Sequence, residues 1–333
     1  MIKIANRIGI VGGGSWATAL AKVLQNQSKK INWFIRRQEV IDSISNFGHN
    51  SDYLSSTEFN PSMLYLSNDL EDIIKRSDII IFGIPAAFLH QQLEGIDPKL
   101  LHEKIIISAI KGIVPEYNAV VSHYFKTVYN TPSQNFGMIA GPCHAEEVVM
   151  DKLSYITLAS KNSDITTLMT DLFSTRNIKV TVSSDVEGIE YASVLKNIYA
   201  VAAGISVGLG YGDNFLSVLT IGAILEMRRF LEAINHCKRD INLSSYSGDI
   251  IVTSYSQFSR NRAFGNLIGK GYSVNYSRIE MKQVAEGYYA AKCMTEINEQ
   301  YKVDMPIVNA VYNVLYKNVS PATEMRKLAD RLS

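Results

Sequence analysis

Cysteine is scarce: three in 333 residues, Cys143, Cys237 and Cys293, far apart and in no C-x-x-C pair. That excludes a disulfide-stapled scaffold, and with six histidines at no ligand spacing it leaves no metal site to read. An excess of one charge is also lacking. Lysine and arginine number 33 against 32 acidic residues, so nothing draws the chain generally to nucleic acid or anionic lipid. No apolar run is clean enough for stable membrane insertion: the longest, residues 189–210, is broken by Glu190, Lys196 and Asn197. A strand pattern begins close to Met1, so no signal peptide is expected, and a reduced cytoplasmic protein is the simple expectation. Internal repeats and low-complexity linkers are absent too.

What is present begins with V-G-G-G-S-W at 11–16. It follows an apolar strand pattern at 7–11 and opens a helical one at 15–25, the context of a dinucleotide-binding turn. The spacing Gly12-x-Gly14-x-x-Ala17 has a physical reason at each position. Gly12 permits the turn, Gly14 leaves room for a pyrophosphate, and Ala17 lets helix and strand pack closely. The pyrophosphate meets unpaired N–H groups at the positive end of the helix.

Strand patterns continue at 31–35, 78–82, 104–108, 136–140, 155–159 and 179–181, with helical ones at 68–76, 86–93 and 163–173. Near-continuous apolar runs such as Ile79-Ile80-Ile81-Phe82 suit a sheet covered on both faces. From about Val186 strand signals stop, and long helical patterns occupy 189–204, 215–235, 279–301 and 305–316. The expected fold class is α/β: an N-terminal Rossmann-like doubly wound domain over 1–185, then a mostly α-helical substrate and catalytic domain over 186–333, with a cleft between them.

Several polar residues fall where chemistry is expected. An acidic residue ending the second strand would hold the ribose hydroxyls of NAD. Arg36 and Arg37 stand there instead, and guanidiniums suit an adenosine 2′-phosphate, so NADPH is expected to be preferred with NAD still usable. Lys196 interrupts an apolar helix, flanked one turn away by Ala192 and Ala200. It is either a partly desolvated acid/base or a lysine snorkelling to water. Lys111 follows the 104–108 strand, at the carboxyl end where open α/β sheets bind ligands, and Gly141-Pro142-Cys143-His144-Ala145 follows the next. Ser259-Arg260-Asn261-Arg262 either cradles a phosphate or starts a solvated basic helix. Asp249 either orients a lysine or caps a helix.

Taken together, these segments resemble bacterial-type NAD(P)-dependent glycerol-3-phosphate dehydrogenase over nearly the whole chain. The blocks carrying the resemblance are G-G-G-S-W-A-T-A-L at 12–20, S-A-I-K-G at 108–112 and G-P-C-H-A-E-E at 141–147. They continue with V-L-K-N-I-Y-A-V-A-A-G at 194–204, G-L-G-Y-G-D-N at 208–214 and S-G-D-I-I-V-T at 247–253. The last are S-R-N-R-A-F-G at 259–265 and V-A-E-G at 284–287, with M-P-I at 305–307 and V-L-Y at 314–316. The resemblance implies cofactor contacts at Ser15, Trp16, Arg36, Arg37, Lys111, Ala145, Arg260, Val284 and Glu286. It implies substrate contacts at Lys111, Gly141, Cys143, Lys196, Asp249, Ser259, Arg260 and Asn261, with Lys196 the proton acceptor when the alcohol is oxidised.

The implied reaction interconverts dihydroxyacetone phosphate and sn-glycerol 3-phosphate, supplying the latter for phospholipid synthesis, in a protein that is commonly a homodimer. Three positions depart from the family pattern: Cys143 where Ser or Thr is usual, Tyr246 for a glycine, and Ile221-Gly222-Ala223 for Thr-Arg-Gly. Two alternatives remain. One is a β-hydroxyacid dehydrogenase of similar architecture. The other is a non-catalytic NADP(H)-binding regulator, which has no need of Lys111 and Lys196.

Overall fold

The computed structural model describes residues 7–281 and 283–332. Among the described residues ten strands form: β1 Ile8–Val11, β2 Ile31–Phe34, β3 Leu64–Ser67, β4 Ile79–Phe82, β5 Ile105–Ser108, β6 Ile113–Val114, β7 Ala119–Val120, β8 Phe136–Ala140, β9 Ser154–Ser160 and β10 Ile178–Ser183. Eight make one sheet in the order β10-β9-β8-β5-β4-β1-β2-β3, and β6 and β7 make a separate hairpin. The first six in chain order, β1 to β5 with β8, run parallel in the 3-2-1-4-5-6 order of doubly wound dinucleotide folds. β9 joins β8 antiparallel and β10 joins β9 parallel. The order reverses between β1 and β4, so the glycine turn after β1 lies at the switch point where such sheets bind ligands.

The chain divides into two compact units. The first comprises Met1–Ile84, Phe88–Ile110 and Val121–Val186. Its sheet is buried as the apolar runs require, with every residue of β1, β4, β5 and β8 inside. The second comprises Glu187–Ser333 and also takes in Pro85–Ala87 and Lys111–Val120 from the N-terminal half. It is helical apart from the β6–β7 hairpin, and its central element is the helix Val186–Gly208. That helix is buried nearly all round, with Leu195, Ile198, Tyr199 and Val201 inside, as expected of a helix enclosed by others. No helix among the described residues is long and apolar enough to cross a membrane.

Four local readings need correction. β3 follows Pro61 and is only half-buried, so it carried no apolar run to recognise. The β6–β7 hairpin has two residues per strand, too few for a period. The 86–93 stretch starts as a 3₁₀ turn, Ala86–Phe88, before the helix Leu89–Leu93. The long 279–301 pattern is two helices, Val274–Glu280 and Glu286–Tyr301, because the backbone turns extended at Met281 and again at Ala285.

Candidate active site

In the first unit, Gly12 has φ +132, and a Cβ there would lie 2.8 Å from the Gly83 carbonyl oxygen. Ala17 packs so tightly on the end of β4 that a Cβ on Gly83 would come within 3.1 Å of its methyl carbon. A Cβ at Gly14, by contrast, meets nothing within 4 Å. Gly14 is also the N-cap of the helix Ser15–Asn26, which has no side-chain cap and no acidic residue in its first turn. Open space over uncapped N–H groups fits a pyrophosphate. The turn is held from behind: Trp33 Nε1 donates to the Gly12 carbonyl at 2.7 Å, and Asn50 Nδ2 donates to the Gly13 carbonyl at 3.1 Å. Neither residue has a signal in the sequence, because each acts across the fold from another element.

Arg36 and Arg37 are exposed just beyond β2. Arg37 is ion-paired with Asp52. Arg36 has no side-chain hydrogen bond or ion pair among the described residues, which leaves it the readier anion ligand. Gly141 takes φ +97 directly after β8, and Cys143 Sγ lies 3.2 Å from its carbonyl oxygen. Ala145 begins a short helix, Ala145–Val149, that packs on Ser15–Asn26.

The second unit gathers the polar centre. Lys196 projects from the middle of the helix Val186–Gly208, and its side chain is 8% exposed. Its Nζ donates to Asp249 Oδ1 at 2.6 Å and to Thr253 Oγ1 at 3.3 Å. Lys111 Nζ, on a side chain 17% exposed, lies 3.5 Å from the other oxygen, Asp249 Oδ2. Asp249 and Thr253 share one face of the helix Asp249–Tyr255, four residues apart. The turn Ser244–Gly248, with Tyr246 buried, delivers Asp249 to that helix start. Two ammonium groups thus share one buried carboxylate. The surplus positive charge, costly to bury alone, favours an anionic partner or a developing alkoxide.

Ser259 caps the helix Arg260–Gly269, its Oγ accepting from Arg262 N–H at 3.3 Å. Arg260 is exposed, whereas Asn261 is buried with its amide engaged on both sides. Glu286 opens its helix with Oε1 accepting from Ala86 N–H at 2.8 Å. Burial pushes its carboxyl up to about 7, while that N–H and the charge of Arg260 pull it down. Val284 lies two residues before it, partly buried. Thr253 and Asn197 are the side chains in this centre that sequence reasoning missed. Thr253 was legible only as the residue one helical turn beyond Asp249.

Comparison with known proteins decides the family. A profile of the NAD-dependent glycerol-3-phosphate dehydrogenase N-terminus matches residues 7–166, and the profile of its C-terminus matches 185–326. The chain belongs to that family. Glycerol-3-phosphate dehydrogenase [NAD(P)+] of Staphylococcus carnosus is 33% identical over 327 residues, covering 97% of each chain. The Bacillus velezensis enzyme of the same name is 32% identical, over 98% of this chain and 94% of that one. Among solved structures, glycerol-3-phosphate dehydrogenase from Coxiella burnetii superposes with a TM-score of 0.90 at 26% identity, covering 97% of this chain and 98% of that one. As a glycerol-3-phosphate dehydrogenase the chain is a nicotinamide-dependent oxidoreductase. The β-hydroxyacid dehydrogenase and silent-regulator alternatives are not favoured.

Proposed function

We propose that the chain interconverts dihydroxyacetone phosphate and sn-glycerol 3-phosphate, using NADPH at least as readily as NADH. The observation that carries this reading is the buried Lys196–Asp249–Lys111 cluster, in a chain whose relatives are named glycerol-3-phosphate dehydrogenase [NAD(P)+]. Gly12, Gly14, Ser15 and Trp16 would hold the pyrophosphate side of the cofactor, beside Ala145, and Arg36 the adenosine phosphate, with Arg37 shared with Asp52. Lys111, Arg260, Val284 and Glu286 are the remaining cofactor contacts of the reading. Reduced nicotinamide supplies a hydride to the C2 carbonyl carbon.

Arg260, with Ser259 and Asn261, would hold the substrate phosphate, and Gly141 and Cys143 would offer backbone N–H groups. Lys196 would give its proton to the C2 oxygen. Asp249 orients that ammonium, and Lys111 adds charge that stabilises the oxygen as it becomes an alkoxide. In the reverse direction Lys196 is the proton acceptor.

The reading includes a cytoplasmic homodimer that supplies glycerol 3-phosphate for phospholipid synthesis, its support being the family resemblance. Light scattering on the purified protein tests the dimer. The reaction is tested by mixing protein, NADPH and dihydroxyacetone phosphate. Loss of reduced-nicotinamide absorbance that depends on this substrate is expected, with no reduction of NADP+ by β-hydroxyacids. No change with dihydroxyacetone phosphate overturns the reading.

A further inference from the structure

Three hydrogen bonds, two buried and the last partly buried, run in one direction through the second unit and end on Lys111. The Gly287 N–H donates to Asn261 Oδ1 at 2.9 Å. Asn261 Nδ2 donates to Asn197 Oδ1 at 2.8 Å. Asn197 Nδ2 donates to the Lys111 carbonyl oxygen at 2.6 Å. The two amides are 5% and 8% exposed. Their orientation is not arbitrary. A backbone N–H at one end can only donate and a backbone carbonyl at the other can only accept, so both amides must face the same way.

The chain starts at a polarised end. Gly287 lies in the first turn of the helix Glu286–Tyr301, whose N-cap, Ala285, has no side-chain oxygen to offer. Asn261 supplies the missing acceptor from another helix. The positive helix end polarises the first amide, the first polarises the second, and the strengthened donor fastens the Lys111 backbone. The next residue, Gly112, is confined as well: a Cβ there would lie 2.7 Å from both the Ala86 methyl carbon and Glu286 Oε2.

We propose that Asn197, backed by Asn261 and the N-terminus of the helix Glu286–Tyr301, is a positioning residue that holds Lys111 in register with Asp249. Adjacent residues of one helix then serve the two ammonium groups: Lys196 supplies one, and Asn197 aims the other. The catalytic consequence rests on the proposed function; the fastening of Lys111 does not.

Asn197→Asp tests this. It keeps the shape and the acceptor for Asn261 but removes the donor to Lys111. Turnover of dihydroxyacetone phosphate should fall roughly 10- to 100-fold, the cost of a misplaced charged group, with the KM for NADPH within about twofold. Combined with Lys111→Met, the loss should be no greater than for Lys111→Met alone. Losses that multiply, or an Asn197→Asp enzyme within about twofold of wild type, overturn the proposal. Should the aspartate fail to fold, Asn197→Ser, which removes the amide donor to Lys111 without adding charge, carries the same cycle. A readout independent of turnover is acylation of lysines followed by peptide mass spectrometry. Lys111 should label faster in the variant while Lys196 labels as in wild type; unchanged labelling of Lys111 overturns the fastening itself. A wild-type protein without turnover would refute the functional reading and leave this labelling test in force.

Discussion

At the scale of single residues, the arrangement around Asp249 separates two kinds of lysine. Lys196 is held by a short bond to the carboxylate and a longer one to Thr253, whereas Lys111 stands off at 3.5 Å. Replacing Lys196 by Met keeps the stem and removes the charge. Folding and NADPH binding should persist while turnover falls by about 10²–10⁴-fold, the usual loss for an acid/base group. A Lys196→Met enzyme within about tenfold of wild type (~1.4 kcal/mol) would move the proton transfer elsewhere, with Lys111 next in line. Arg36 bears on cofactor choice. With Arg37 engaged by Asp52, Arg36→Ala should weaken NADPH by about 1–3 kcal/mol and NADH much less. Titrations of both cofactors against the variant check this, and equal losses would show that Arg36 does not read the 2′-phosphate.

At the scale of elements, the polar centre depends on two helices crossing at glycines. Gly204 and Gly208 lie on the helix Val186–Gly208, with Gly265 and Gly269 on the helix Arg260–Gly269, each pair four residues apart. A Cβ on Gly265 would lie 2.1 Å from the Val201 carbonyl oxygen, and one on Gly204 2.1 Å from that of Arg262. Backbone against backbone, neither helix has a flexible atom to give way. This contact brings Asn261 within reach of Asn197. Gly265→Ala gains up to about 1 kcal/mol in helix propensity but forces the helices apart, an overpacking cost of about 1–3 kcal/mol. Net destabilisation, read as a lower Tm and a lower denaturation midpoint, is expected. Gly14→Ala is the contrasting case. The protein leaves its Cβ open space, so Tm should hold while NADPH binding weakens.

At the scale of the whole molecule, stability should depend on pH through buried carboxyls. Glu226 is wholly buried on the helix Asp213–Ile234 and caps the helix Pro306–Tyr316, accepting from the N–H groups of Ile307 at 2.7 Å and Val308 at 3.1 Å. Burial outweighs those bonds and the nearby Arg229, and raises its carboxyl from 4.5 to about 8. Glu286 shifts the same way, to about 7. In the interval above 4.5 the native state therefore holds protons that the unfolded chain releases. By linkage, this contribution to stability is complete below that value and is lost as pH rises through the folded value. Urea denaturation at about pH 5 and about pH 8 should show lower stability at the higher pH. In Glu226→Gln that decline should shrink; an unchanged decline would assign it to other groups.

The sequence by itself determined the parallel sheet, the dinucleotide turn and the position of Lys196 on a buried helix. Each of these is a local pattern: continuous apolar runs, glycines at fixed spacing, one charge in an apolar stretch. The blocks around Lys111, Asp249 and Ser259 were legible as segments, and it was the family resemblance, not any local pattern, that grouped them as one substrate site. Only the tertiary structure decided that Lys111 belongs with the helices rather than with the strand preceding it, and that Asp249 serves two lysines. It also decided that Asn261 spends its amide on Asn197 and Gly287. The physical reason is range. Strand and helix periods arise from neighbours within a few residues, whereas a hydrogen bond between Asn197 and Lys111 joins positions 86 apart, and leaves no periodic trace at either end.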